Sequence, residues 1–212
     1  MHLLLGLVSP SIAGVNTRRI QILDSAAELI STKGFAQTSV DELIAYAGLS
    51  GKSHFYHYFS SKEQLGHEVI TRQFDLVAER GLAILRDAMR PPMERLYAFI
   101  DAIVELQLEA PDRCRSPFGA LATEMGDLDE GFRLRIAQMF RVWSGQLQTV
   151  IEEAQDDLSP DVSSQRLARF IISTLEGATQ MARMKREVGI VQGVGLDLKR
   201  FVASHQKPMT VQ

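Results

Sequence analysis

The sequence predicts an all-α chain, a three-helix head with a helix-turn-helix followed by a larger helical body, about nine helices in all. Three observations point there. Apolar residues recur at threes and fours, as in Phe132, Ile136, Phe140, Trp143, Leu147 and Ile151. Segment starts carry Ser, Asp or Pro, and segment ends carry Gly or Pro. No stretch alternates as a half-buried strand would, and no internal repeat is visible.

In chain order, a first helix is expected from Asn16 or Thr17, with Ile20, Leu23, Ala26, Ala27 and Ile30 on one face and a left-handed stop at Gly34. Phe35 closes the small core. Ser39 and Glu42 form a capping box that opens a second helix with Val40, Leu43, Ile44 and Ala47 inward. Gly48 gives a tight turn, and Ser50 offers an oxygen to cap a short third helix anchored by Phe55 and Phe59. What that helix leaves outward is polar, basic or phenolic: Lys52, Ser53, His54, Tyr56, His57 and Tyr58. Such a surface suits phosphates and base edges.

A capped start at Ser60 or Ser61, with Glu63 and Gln64 in the first turn, opens a long helix to about Ala88 that joins head to body. Leu65, Val69, Leu76, Val77, Ile84 and Leu85 are its expected buried side, with Gly66 and Gly81 as soft points. Pro91 and Pro92 end it, and Pro92 suits the first turn of the next helix, Met93 to Ala110. That helix buries Leu96, Phe99, Ile100, Ile103 and Leu106 and stops at Pro111. A short helix over 117–122, ending at Gly126, precedes a long one whose N-terminus attracts Asp127, Asp129 and Glu130. After Ser159-Pro160 a helix from Ser163 to Val188 carries Leu167, Phe170, Ile171, Leu175, Ala178 and Met181. Small Ser173, Gly177 and Ala182 would let a neighbour approach. A Gly-rich link (VGIVQGVG) leads to a final helix, Leu196 to Ser204.

Composition sets the bounds. With 212 residues, 45% hydrophobic and 23% charged, the chain has the make-up of an ordinary globular protein. One cysteine forms no internal disulfide, which fits a cytoplasmic setting. No apolar run reaches the ~20 residues needed to cross a membrane. The run Leu3 to Val8 lacks the basic residues that precede a secretory signal, so 1–15 reads as an N-terminal arm. Net charge is -3, and Met1 to Ile70 holds five Lys or Arg against six acids, so charge gives no support to nucleic-acid binding. The motif has to carry that reading.

The runs ILDSAAELISTKGFAQTSVDELIAYAGLS and FYHYFSSKEQL do so: over Thr17 to Ile70 the chain resembles the TetR/AcrR family of bacterial transcriptional regulators. The resemblance implies a DNA-binding domain over 16–60, a ligand-binding and dimerisation domain over 61–206 and a tail over 207–212. One departure stands out: seven residues (LSGKSHF) separate Gly48 from Tyr56, where the usual pattern has six. The register of Gly51, Lys52, Ser53 and His54 against DNA is therefore open. Phosphate contacts are expected from Thr38, Tyr56, His57, Lys62 and backbone N–H groups near Ser39. Lys52, Ser53 and His54, with Tyr58, are the candidates for base edges, and Ser50 and Gly51, at the turn, are counted with them as DNA-binding candidates. The competing reading of each is an exposed side chain on an ordinary helix.

The family resemblance further implies a homodimer through the last two helices, 163–188 and 196–204, on a pseudo-palindromic operator, and release by a small-molecule effector. Phe99, Ile103, Phe118, Leu121, Met125, Phe140, Trp143, Gln146 and Met181 are the candidate lining residues, Gln146 being the polar contact; a plain core explains the same stripes. Cys114, between Arg113 and Arg115, is either a reactive sensor thiol or an inert loop thiol. Some regulators carry a Cys directly before Pro-apolar-Gly, but here Arg115 and Ser116 intervene. His54 and His57 are three apart, yet no further ligand marks a metal site. No cofactor motif and no catalytic set emerges. The alternative function is a helical small-molecule binding protein or enzyme whose head no longer binds DNA.

Overall fold

The computed structural model describes residues 10–109, 124, 126, 127 and 129–207. It has eight helices among them and no strand. These are α1 (Pro10–Lys33), α2 (Val40–Tyr46), α3 (Lys52–Tyr58), α4 (Lys62–Leu85), α5 (Pro92–Leu108), α6 (Glu130–Glu153), α7 (Ser164–Lys185) and α8 (Gly189–Ala203). The chain divides into two compact units, Met1–Arg72 and Gln73–Gln212, and α4 contributes to both.

In the first unit, α1 begins at Pro10 rather than near Asn16, so part of the expected arm is helical. Its buried face holds Ile22, Leu23, Ala26, Ala27, Leu29 and Ile30, with Ile20 only half-buried. Gly34, at φ 89°, stops the helix as expected. Phe35, Leu43, Ile44, Leu49, Phe55, Phe59, Leu65, Val69 and Ile70 complete one small core. Two ion pairs tie α1 to the start of α4, Arg19 with Glu68 and Arg72 with Asp24. Arg19 also lies over the Phe59 ring, 4.9 Å from its centroid.

In the second unit, α5 packs against α6, α7 and α8. Pro92 occupies the first turn of α5, and Asp129 caps α6 by accepting from the Phe132 N–H at 3.2 Å. Two glycines decide the packing. A Cβ at Gly81 would sit 2.5 Å from Trp143 Cη2, so this residue is a point of close approach and not a soft point. The buried side of α4 here accordingly runs through Ala78, Gly81 and Leu85, leaving Leu76 exposed and Ile84 half-buried; the Val77 side chain lies outside the described set. A Cβ at Gly195 would sit 2.6 Å from Val104 Cγ2. That contact explains why the Gly-rich link is helix: the missing side chain lets α8 lie close on α5, and packing overrides low propensity.

Two other stripes differ from expectation. On α5, Ile103 and Leu106 are half-buried while Val104 and Gln107 are buried. On α7, Phe170 and Met181 are 44% and 55% exposed, because Leu167, Ala168, Ile171, Leu175, Ala178, Thr179 and Ala182 fill the inner face. Arg186 ends α7 in the left-handed region at φ 54°. The expected helix over 117–122 lies outside the described residues.

Candidate nucleic-acid interface

The helix-turn-helix is built by local chemistry. Glu42 N–H donates to Ser39 Oγ at 3.2 Å, and Ser39 N–H donates to Glu42 Oε2 at 2.9 Å, closing the capping box. Hydrogen bonds from Lys33 first, then from the Ser39 backbone and hydroxyl, hold the Glu42 carboxyl down at about 2 against its usual 4.5. At the far end of α2, Gly48 takes φ 61°, Leu49 N–H donates to Ile44 O at 2.9 Å and Gly48 N–H to Ala45 O at 3.3 Å. This is a Schellman stop, and it needs a residue free to turn left-handed.

Arg18, which sequence reading missed, and Gly51 complete the turn. Arg18 donates from Nη2 to Ala47 O at 3.1 Å and Gly48 O at 2.8 Å, holding the last carbonyls of α2 from α1. Those partners lie 29 and 30 residues away, so no local motif marks it. Gly51, not Ser50, precedes α3 as its cap position, at φ 151° and ψ -175°. Only glycine enters that region readily. Nothing lies within 4 Å of where a Cβ at Gly51 would be. Ser50 turns instead to His54: its hydroxyl lies 3.2 Å and its N–H 3.4 Å from Nδ1.

Phe55 and Phe59 fix the inner side of α3, leaving Lys52, Ser53, Tyr56 and His57 exposed together. Lys52 sits 3.3 Å from Asp41 of α2. His54 and Tyr58 are half-buried, one turn apart, with ring centroids 5.5 Å from each other. The Tyr56 ring meets Phe55 edge-on, and His57 meets Tyr58 edge-on. Two expected phosphate ligands are differently employed. Thr38 is fully buried and its hydroxyl donates to Gly34 O at 2.7 Å, which clamps the α1 stop and presents no surface to a phosphate. Lys62 rests over the Phe35 ring, 4.4 Å from its centroid, with Nζ 3.5 Å from Ala36 O. Ser39 is exposed in part but engaged with Glu42. Among the described residues no three His, Cys, Asp or Glu side chains group as metal ligands.

The second unit brings some of the expected effector residues together. Trp143 is buried between Phe99, at 5.3 Å, and Phe74, at 6.1 Å, and its indole N–H has no hydrogen-bond partner. Gln146, half-buried one turn on, accepts from Arg86 Nε at 3.0 Å. Ile103 and Phe140 are half-buried, whereas Met181 lies on the outer face of α7 with Phe170. Phe118, Leu121, Met125 and Cys114, with Arg113 and Arg115, lie outside the described residues. A cavity of about 260 Å³ lies where α7 begins and α8 ends, lined by Ser163, Arg166, Phe170, Phe201 and His205 among others; it includes none of the expected effector residues.

No described helix is long and apolar enough to cross a membrane. Residues 22–69 match the model for bacterial regulatory proteins of the tetR family, and residues 92–193 match that for the tetracyclin repressor-like C-terminal domain. The chain is 29% identical over 175 residues, 80% of its length and 83% of the relative's, to the HTH-type transcriptional repressor DhaR of Mycobacterium sp. (strain GP1). It is 30% identical over 176 residues, 80% of its length and 86% of the relative's, to an HTH-type transcriptional regulator of Mycobacterium tuberculosis (strain CDC 1551 / Oshkosh). Among solved structures, regulatory protein TetR from Rhodobacter sphaeroides superposes with a TM-score of 0.77 at 25% identity, covering 86% of this chain and 97% of that one. With a helix-turn-helix head, an all-helical body and relatives along most of its length, the chain belongs to the tetR family and is a DNA-binding transcriptional regulator.

Proposed function

We propose that the protein is a repressor that binds a pseudo-palindromic operator as a homodimer in the cytoplasm and is released by a small apolar effector. The observation that carries the dimer is the outer face of α7. Phe170, Met181 and Met184, the last 73% exposed, follow one another at helical spacing, and the Phe170 ring meets that of exposed Phe201 of α8 at a tilt, with centroids 4.6 Å apart. Open space at Gly177, between them, leaves room for a second backbone. Two such faces meeting about a two-fold axis would bury apolar surface and carry two heads, as operator binding by a short reading helix requires. Repression is supported by the name of the relative from Mycobacterium sp..

Lys52, Ser53, Tyr56 and His57 form the reading and phosphate-gripping face of α3, with His54 and Tyr58 beside it. In the second unit the unpartnered indole N–H of Trp143 is a ready donor to an oxygen of an otherwise apolar effector. A ligand that prefers the DNA-incompetent state lowers operator affinity, and DNA lowers ligand affinity by the same factor.

The test is the pair Phe170→Glu and Met181→Glu, read by light scattering and operator binding. Dimers in the parent and monomers in the variant, with operator affinity lost and helicity kept, are expected. A variant still dimeric and still bound would remove α7 from the interface.

A further inference from the structure

His54 has one nitrogen already committed. The Ser50 backbone N–H lies 3.4 Å from Nδ1, and an amide can only donate. The Ser50 hydroxyl, at 3.2 Å, can donate to the same atom. Nδ1 must therefore keep its lone pair, which puts the ring proton of the neutral imidazole on Nε2. The ring is also braced by Tyr58 one turn on, with centroids 5.5 Å apart, and by α3 itself, whose His54 N–H donates to Gly51 O at 3.0 Å. Gly51, at φ 151°, lies between the Ser50 amide and the helix that carries His54.

We propose that His54 is a specificity-determining residue that donates from Nε2–H to the N7 of a guanine in each operator half-site. The inference rests on the reading of α3 as the groove-reading helix and goes beyond it by fixing the chemistry of one contact. In the major groove the acceptors are purine N7, guanine O6 and thymine O4, while adenine N6 and cytosine N4 donate. A lone donor is repelled by a donor edge. At adenine the N7 has an amino donor beside it; at guanine it has a second acceptor, O6. A single, orientation-fixed N–H therefore favours guanine. Ser50 and Gly51 act through His54 as positioning residues.

The experiment uses the full chain and operators recovered by selection from random DNA. Each guanine of one half-site is replaced in turn by 7-deazaguanine, which exchanges the N7 acceptor for C–H and keeps base pairing. Parent and His54→Ala are titrated on every duplex, after circular dichroism shows the variant folded. At one guanine the replacement is expected to weaken the parent on the order of tenfold and to leave His54→Ala unchanged. Ser50→Gly, which retains the amide, should keep that dependence. A long-range proton–nitrogen spectrum of the free protein should show the Nε2–H tautomer. The proposal is overturned by equal losses for parent and variant at every guanine, by a half-site without guanine, or by an Nδ1–H tautomer. A parent that selects no motif at all would instead overturn the reading of the head.

Discussion

Single residues set the turn on which the head depends. Gly51 stands at φ 151° in open space, so Gly51→Ala meets no atom and carries backbone strain alone. Strain of that kind costs on the order of 1 to 3 kcal/mol, and urea unfolding of the variant should show a loss in that range with reduced operator affinity. Gly81→Ala tests the opposite case, an ordinary helical position where a Cβ would sit 2.5 Å from Trp143 and 3.0 Å from Phe99. Overpacking of this sort costs roughly 1 to 3 kcal/mol, and the indole fluorescence should shift as the ring moves. Sequence alone marked Gly48 as the turn and left the role of Gly51 open, because an extra residue can be absorbed at several backbone positions. Gly81 looked like a soft point for a related reason. What makes it a contact is Trp143, 62 positions along the chain (143 − 81), and periodicity carries no record of that distance.

At the scale of elements, the starts of α2, α5, α6 and α7 were legible because their signals are local, whereas those of α1, α3 and α8 differ from expectation. The capping box at Ser39 and Glu42, the proline at the start of α5 and the Asp129 and Ser163 caps all involve residues within one turn. Ends and faces were less so. The glycine-rich segment before Leu196 belongs to α8, and Met181 and Phe170 point outward, in both cases because a neighbouring helix decides. The α2 cap makes a pH prediction. Glu42 titrates at about 2 in the folded protein against an ordinary 4.5, so its charge adds stability that is complete above the ordinary value. The contribution declines as pH falls from about 4.5 and is gone once pH drops through about 2. Glu42→Gln should therefore be less stable than the parent at pH 6, with the gap closing toward pH 2 in urea titrations. Lys33→Ala removes the largest cause of the shift and should move the closing upward in pH. A gap independent of pH would mean that the carboxylate charge has no part in the cap.

For the whole molecule, the family was readable because its signature is concentrated in about fifty contiguous residues whose turn, caps and aromatic anchors are local. The body was readable only as helices: which of their residues meet an effector depends on how distant segments pack. Trp143→Phe keeps an aromatic ring but removes half of the indole with its unpartnered N–H, so effector release should weaken at unchanged operator affinity, measured by fluorescence anisotropy of labelled DNA. An unchanged response would exclude the indole N–H from effector binding. The central claim is sequence-specific DNA binding by a head that carries no excess of positive charge. Its most direct test is selection of bound fragments from genomic DNA by the purified protein at a stated moderate salt, since phosphate-driven binding is strongly salt-dependent. One pseudo-palindromic motif, lost when Lys52, Ser53 and His57 are replaced by Ala, is the expected result. Recovery of nothing above background, from protein shown to be folded and dimeric, would contradict it.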